Sequence, residues 1–189
     1  MMHAQFHERI AAIQSAIRES GTADGWLFYD FRGSDPLAYR VLLLDPSRHV
    51  TRRWYYWIPA EGIPVKLLHR IEPHVLAELP GHDSLYVSWK QQRTLLASML
   101  KGSRRIAMQY SPLNAVPYVS RVDAGTIDLI RSFGVDVVSA ADLAVIEHAR
   151  VRVGAGARHQ VDRVEAAERR VFGLGALRAV LIVIKRERN

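Results

Sequence analysis

Apolar and polar positions along the first three-quarters of the chain switch repeatedly between a helical period and a strand period. Phe6, Ile10, Ile13 and Ile17 recur at helical spacing with His7, Glu8, Gln14 and Arg18 between them, which predicts an amphipathic helix closed by Gly21. Trp26-Leu27-Phe28-Tyr29 follows Gly25, and its length and aromatic content suit a buried strand. Ser34 and Asp35 stand before Pro36, which predicts a helix start with Pro at its first position and a short helix over Leu37–Leu44. Arg53–Pro59 and Pro64–His69 flank Ala60-Glu61-Gly62 and predict a hairpin. Beyond it the pattern predicts a helix over Glu72–Leu79, a strand at Leu85–Val87, a helix over Gln91–Leu100 and a strand over Arg105–Tyr110. A helix over Val122–Phe133 closed by Gly134, a strand at Val135–Val138 and a further helix from Ala140 complete the series.

Strands alternating with helices, plus one hairpin, predict an α/β architecture: a mixed β-sheet flanked by helices. The pattern breaks at Leu143. From Val145 to Asn189 there is no Ser, Thr, Pro, Tyr or Trp, while Arg, Ala, Val and Gly dominate. We therefore divide the chain into a domain over residues 1–143 and a divergent basic tail over 144–189, with a helix expected at Gln160–Phe172. Such a composition is what out-of-frame translation of GC-rich DNA gives, so a lost reading frame near Leu143 is one expectation for the tail.

Charge and composition narrow the function classes. Of the net charge of +7, residues 1–144 carry 16 basic and 14 acidic side chains and hence only +2; the tail supplies the rest. The basicity thus says little about partners of the main domain. Without cysteine there are no disulfides, thiolate metal sites or cysteine nucleophiles. The first twenty residues lack the apolar core of a secretory signal, and the apolar stretch Val171–Ile184 is interrupted by Arg178, so a cytoplasmic protein without a membrane span is expected.

Candidate chemistry is sparse. His3 and His7 stand four apart on the first helix, but a zinc site needs a third ligand, and a solvated pair is the plainer reading. His159, Asp162, Glu165 and Glu168 are interleaved with arginines, which suits ion pairing along a helix better than metal binding. Gly154-Ala155-Gly156 and Gly173-Leu174-Gly175 lack the third small residue of a dinucleotide loop. The arginine-rich tail has none of the aromatics of a single-strand binder, so no specific nucleic-acid recognition is expected. Trp54, Tyr55 and Trp57 are interface candidates should one face of their strand lie open; burial in the core is the alternative. Asp30, Arg32 and Asp35 cluster where the first strand ends, a position at which α/β proteins often bind ligands. An Asp30–Arg32 or Arg32–Asp35 ion pair holding the turn is the plain reading there.

Three collinear stretches resemble the N-terminal domain of the creatinase, prolidase and aminopeptidase P metallopeptidases. They are Trp26 to Arg40, Trp54 to Gly62, and the series Ile106–Pro112, Pro117–Gly125 and Gly134–Leu143. The resemblance implies a creatinase N-terminal-like fold with a ribonuclease H-like motif. It also implies a non-catalytic role, shaping the substrate cleft and subunit contacts of an Xaa-Pro hydrolase whose chemistry sits in a following pita-bread domain. There, two Asp, one His and two Glu would hold two divalent metals such as manganese or cobalt. No catalytic residue and no metal ligand carries over to this chain, and activity of the chain alone is not expected. Arg32 and Asp35 are implied as substrate-cleft residues; Asn would be expected where Asp35 stands. The alternative is a stand-alone interaction module, pairing with itself or with a separate catalytic subunit.

Overall fold

The computed structural model describes residues 2–144; the tail helix and the tail motifs lie outside them. In chain order the elements are α1 (Met2–Ser20), β1 (Gly25–Asp30), α2 (Pro36–Leu42), β2 (Trp54–Pro59), β3 (Val65–His69), β4 (His82–Tyr86), α3 (Trp89–Met99), β5 (Arg105–Met108), α4 (Ala124–Arg131) and β6 (Asp136–Ser139). The strands form one six-stranded mixed sheet in the order β4-β3-β2-β1-β5-β6. β2 runs antiparallel to both β1 and β3, whereas β3–β4, β1–β5 and β5–β6 are parallel. The expected mixed sheet with one hairpin, covered by helices, is the architecture observed.

Helices cover both faces. Trp26, Phe28, Trp54, Tyr56, Ile58 and Leu68 meet α1 and α2 on one face, where Phe6, Ile10, Ile13 and Ile17 bury the stripe expected from their spacing. Leu27, Tyr29, Tyr55, Trp57, Leu67 and Ile106 meet α3 and α4 on the other. Every residue of β1 is therefore buried, which is why its sequence reads as a continuous apolar run rather than an alternation.

Helix ends follow local chemistry. Ser88 and Asp123 cap α3 and α4 by accepting from Gln91 N–H at 3.3 Å and Thr126 N–H at 2.8 Å. Expected ends and observed ends differ by one or two residues for most elements. α2 stops sooner than expected, because Leu43 turns left-handed at φ 57° and its N–H bonds back to the carbonyls of Arg40 and Tyr39.

Two expectations are corrected. Glu72–Leu79 is not an α-helix but a succession of tight turns, with N–H groups of Val75, Ala77 and Leu79 bonding three residues back. Pro73 has no N–H, Pro80 ends the segment, and the Glu72 carboxylate is drawn away to the N–H groups of Thr51 and Arg52 at 3.1 and 3.0 Å. The buried Lys66 Nζ donates to the carbonyls of Leu76 and Leu79 at the end of this segment, at 3.4 and 3.0 Å. The strand expected at Leu85–Val87 begins at His82, because pairing with β3 recruits the polar run His82-Asp83-Ser84 at the sheet edge.

Gly25 marks where the sheet tolerates no side chain: a Cβ there would lie 2.7 Å from the Ile58 carbonyl oxygen and against the Trp57 ring. Gly25→Ala is expected to lower stability by about 1–3 kcal/mol through overpacking. Leu113→Ala, at a fully exposed side chain, should change it by less than about 0.5 kcal/mol. Urea denaturation of the two variants beside the wild type checks both; equal midpoints would contradict the packing described.

Candidate functional site

The chemistry-bearing residues gather at the C-terminal ends of the parallel neighbours β1 and β5. β1 ends on Asp30, whose side chain is fully buried. Its carboxylate accepts from the N–H groups of Gly33 and Asp35, each at 2.9 Å, and from the hydroxyls of Ser34 and Tyr39, each at 3.3 Å. Arg32 and Gly33 are both left-handed, at φ 61° and 73°, so the chain doubles back over that carboxylate. Desolvation, and then the adjacent Asp30 carboxylate, push the Tyr39 hydroxyl up to about 12. Tyr39 thus stays a donor at neutral pH.

Asp35 is equally buried. Its Oδ1 accepts from the N–H groups of Leu37 and Ala38, both at 3.0 Å, and caps α2 as expected from the Asp-Pro pair. Its Oδ2 has no hydrogen-bond partner. Burial pushes this carboxyl up to about 6, against the lowering effect of the two capping N–H bonds; Asp30 adds to the rise and Arg121 opposes it.

The expected ion pair at this turn is corrected. Among the described residues no ion pair joins Arg32 to Asp30 or Asp35. Backbone N–H groups and hydroxyls occupy the Asp30 carboxylate instead, and the Arg32 side chain is exposed. The cation whose field reaches Asp35 is Arg121.

β5 contributes Gln109, one residue beyond its end and fully buried. The Gln109 side-chain oxygen accepts from Trp26 Nε1 at 3.2 Å, and its carbonyl accepts from the N–H groups of Arg121 and Val122 at 2.9 and 3.1 Å. Its Nε2 is unpartnered. Gln109 and Arg121 were not singled out from the sequence; the only signal was that both fall within or beside the stretches carrying the resemblance. Around this edge stand exposed apolar side chains: Phe31 at 40%, beneath the Arg53 guanidinium at 5.8 Å, Tyr118 at 51%, and Leu113.

Trp54, Tyr55 and Trp57 are not among the exposed side chains at this end of the sheet. They are 1%, 0% and 5% exposed, with Trp54 edge-on to Tyr39 at 6.2 Å and Tyr55 tilted against Tyr29 at 5.1 Å. No open face of these rings is left for a partner, and their alternation places them in the two core layers. His7 on α1 is exposed. Among the described residues no group of three or more His, Cys, Asp or Glu is arranged to hold a metal ion. No helix among them is long and apolar enough to cross a membrane.

No protein-family model and no curated protein matches the sequence. Solved structures do. The dipeptidase PepE from Mycobacterium ulcerans is similar at 24% identity and a TM-score of 0.55, over 87% of this chain and 43% of that one. The prolidase from Thermococcus sibiricus follows at 15% identity and 0.52, over 73% and 35%, and the Xaa-Pro dipeptidase from Bacillus anthracis at 12% and 0.51, over 72% and 34%. This chain has the fold of part of these peptidases. It spans less than half the length of each of them, and the resemblance read from the sequence therefore extends to the architecture.

The raised value at Asp35 fixes the sign of a pH dependence. An acid that holds its proton more tightly folded than unfolded, about 6 against 3.8, leaves stability greatest below about pH 4 and lowers it as pH rises through about 6. The loss amounts to about 3 kcal/mol at most. Asp35→Asn keeps the capping oxygen without the charge, so its stability relative to wild type should climb between about pH 4 and about pH 7. Asp35→Ala should lose about 0.5–2 kcal/mol of capping at low pH. Urea midpoints across this range check both; a difference between Asn variant and wild type that does not move with pH would contradict the assignment.

Proposed function

We propose that this chain is the non-catalytic N-terminal part of an Xaa-Pro aminopeptidase- or dipeptidase-type metallopeptidase, acting in the cytoplasm. The observation that carries the reading is the shared fold with the Mycobacterium ulcerans dipeptidase over 87% of this chain, against only 43% of that protein. Hydrolysis, and the divalent metals that would support it, belong in this reading to the remainder of such a protein. The part of this chain is to shape the substrate cleft and to take part in subunit contacts.

Within that reading Arg32 and Asp35 have different tasks. Asp35 is buried and cannot touch a substrate; with Asp30 it holds the turn. Arg32, exposed on that turn, offers a planar guanidinium suited to a peptide carboxylate. A second reading, a stand-alone module that pairs with itself or with a separate catalytic subunit, draws on the exposed Phe31, Leu113 and Tyr118 at the same edge.

The purified full chain is expected to give no turnover of Xaa-Pro dipeptides with manganese or cobalt added; clear turnover would contradict the non-catalytic assignment. DNA following the Leu143 codon, read in all three frames, is expected to continue into a domain bearing two Asp, one His and two Glu as ligands. If no frame does, the module reading takes its place.

A further inference from the structure

The two edges of the sheet are guarded unequally. β6 is only four residues long and opens on the exposed Asp136, and just beyond its end the Ala140 N–H bonds the Met108 carbonyl at 2.8 Å. β4 instead stays extended over its five residues from His82 to Tyr86, before the chain bends at Val87 and Ser88 into α3. Between Ser84 and Val87 it carries no Lys and no Pro, the residues that usually discourage pairing at an edge.

The hydrogen-bonding groups on that edge can be assigned. The His82 N–H bonds inward to the Pro64 carbonyl and the Tyr86 carbonyl accepts from the Arg70 N–H, both at 2.9 Å. Direction alternates along a strand, so the N–H and C=O groups of Asp83 and Leu85 face outward. The Val87 N–H is taken by the Gln91 side-chain oxygen at 3.0 Å, which closes the edge at its far end. Beside these groups Leu85 is 42% and Val87 55% exposed, with Ile71 at 60% and Trp89 at 68% at the same end. Half of the large exposed apolar side chains of the described residues thus lie along one strand edge.

Charge is distributed unevenly along this edge. Asp83 stands toward its start, paired internally with Lys66 at 2.7 Å but with its side chain still 51% exposed. Arg70 and Lys90, both exposed, stand at its end. An antiparallel second copy brings the acidic end of each strand against the basic end of the other, whereas a parallel copy would stack like on like. Pairing about Leu85 also brings the Leu85 N–H of each copy against the facing Leu85 carbonyl. The Val87 N–H stays with Gln91. We infer that β4 is the edge through which two copies of this chain join, antiparallel about Leu85, into one continuous sheet. This surface is separate from the β1–β5 edge and does not rest on the peptidase reading.

The full chain has no cysteine, so Leu85→Cys supplies the only thiol. Facing residues of a hydrogen-bonded antiparallel pair lie about 5.5 Å apart at Cα, within disulfide range. Mild oxidation is expected to cross-link Leu85→Cys and to leave an Asp136→Cys control on the opposite edge unlinked. Sedimentation of the wild type over a micromolar series is expected to show a dimer. Leu85→Lys, with unchanged circular dichroism, should raise its dissociation constant at least about tenfold by opposing two like charges across the pair. A monomeric wild type, a dimer indifferent to Leu85→Lys, or cross-linking through Asp136→Cys but not Leu85→Cys would overturn the proposal.

Discussion

The rest of the structure turns on a carboxylate closed off from solvent. Asp30 closes the central strand β1 at full burial, where an unsatisfied carboxylate would be costly. Two backbone N–H groups and two hydroxyls from the next nine residues converge on it. That convergence folds the loop back on the strand, sets Asp35 at the start of α2, and lets α2 lay Ala38, Tyr39, Val41 and Leu42 onto the sheet. Asp30 is therefore an organising acceptor for the turn rather than one half of an ion pair.

The same economy recurs wherever polar groups enter the interior. Lys66 donates to the Leu76 and Leu79 carbonyls at the end of the segment over residues 72–79 and so ties it down onto the sheet without its being helical. Gln109 joins β5 to β1 through Trp26 and to the following loop through its carbonyl. Among the described residues four buried side-chain atoms remain without partners, and two of them, Asp35 Oδ2 and Gln109 Nε2, stand at the C-terminal ends of β1 and β5. Most buried polar atoms in folded chains find a partner, so their company at one end of the sheet sets that end apart from the core.

What was legible in the sequence was local. The stripe Phe6, Ile10, Ile13, Ile17, the hairpin around Gly62 and the Asp35-Pro36 helix start depend on neighbours within a few residues, and each stands in the structure where the pattern put it. The Asp30 network was not legible, because charge in the sequence points to Arg32 while the competing donors are backbone groups that carry no sequence signature. Gln109 and Arg121 were hidden for another reason: that β5 lies beside β1 is a long-range choice written in no local period. The aromatic run Trp54–Trp57 was ambiguous between core and interface, and only the presence of helices on both faces resolves it. Glu72–Leu79 had a helix's composition, but its flanking prolines and the pull of Thr51 on Glu72 decided otherwise.

Fold and site thus meet in one turn, held from beneath by Asp30 and presenting Arg32 to solvent. Amide hydrogen exchange tests this most directly, because it reads the two backbone N–H bonds to the carboxylate separately. The Asp35 N–H, in a surface loop by sequence, is predicted to exchange as slowly as the amides of β1. If it exchanges as fast as the N–H of Ile63 in the exposed hairpin turn, the Asp30 carboxylate does not organise the loop, and the account built upon it fails.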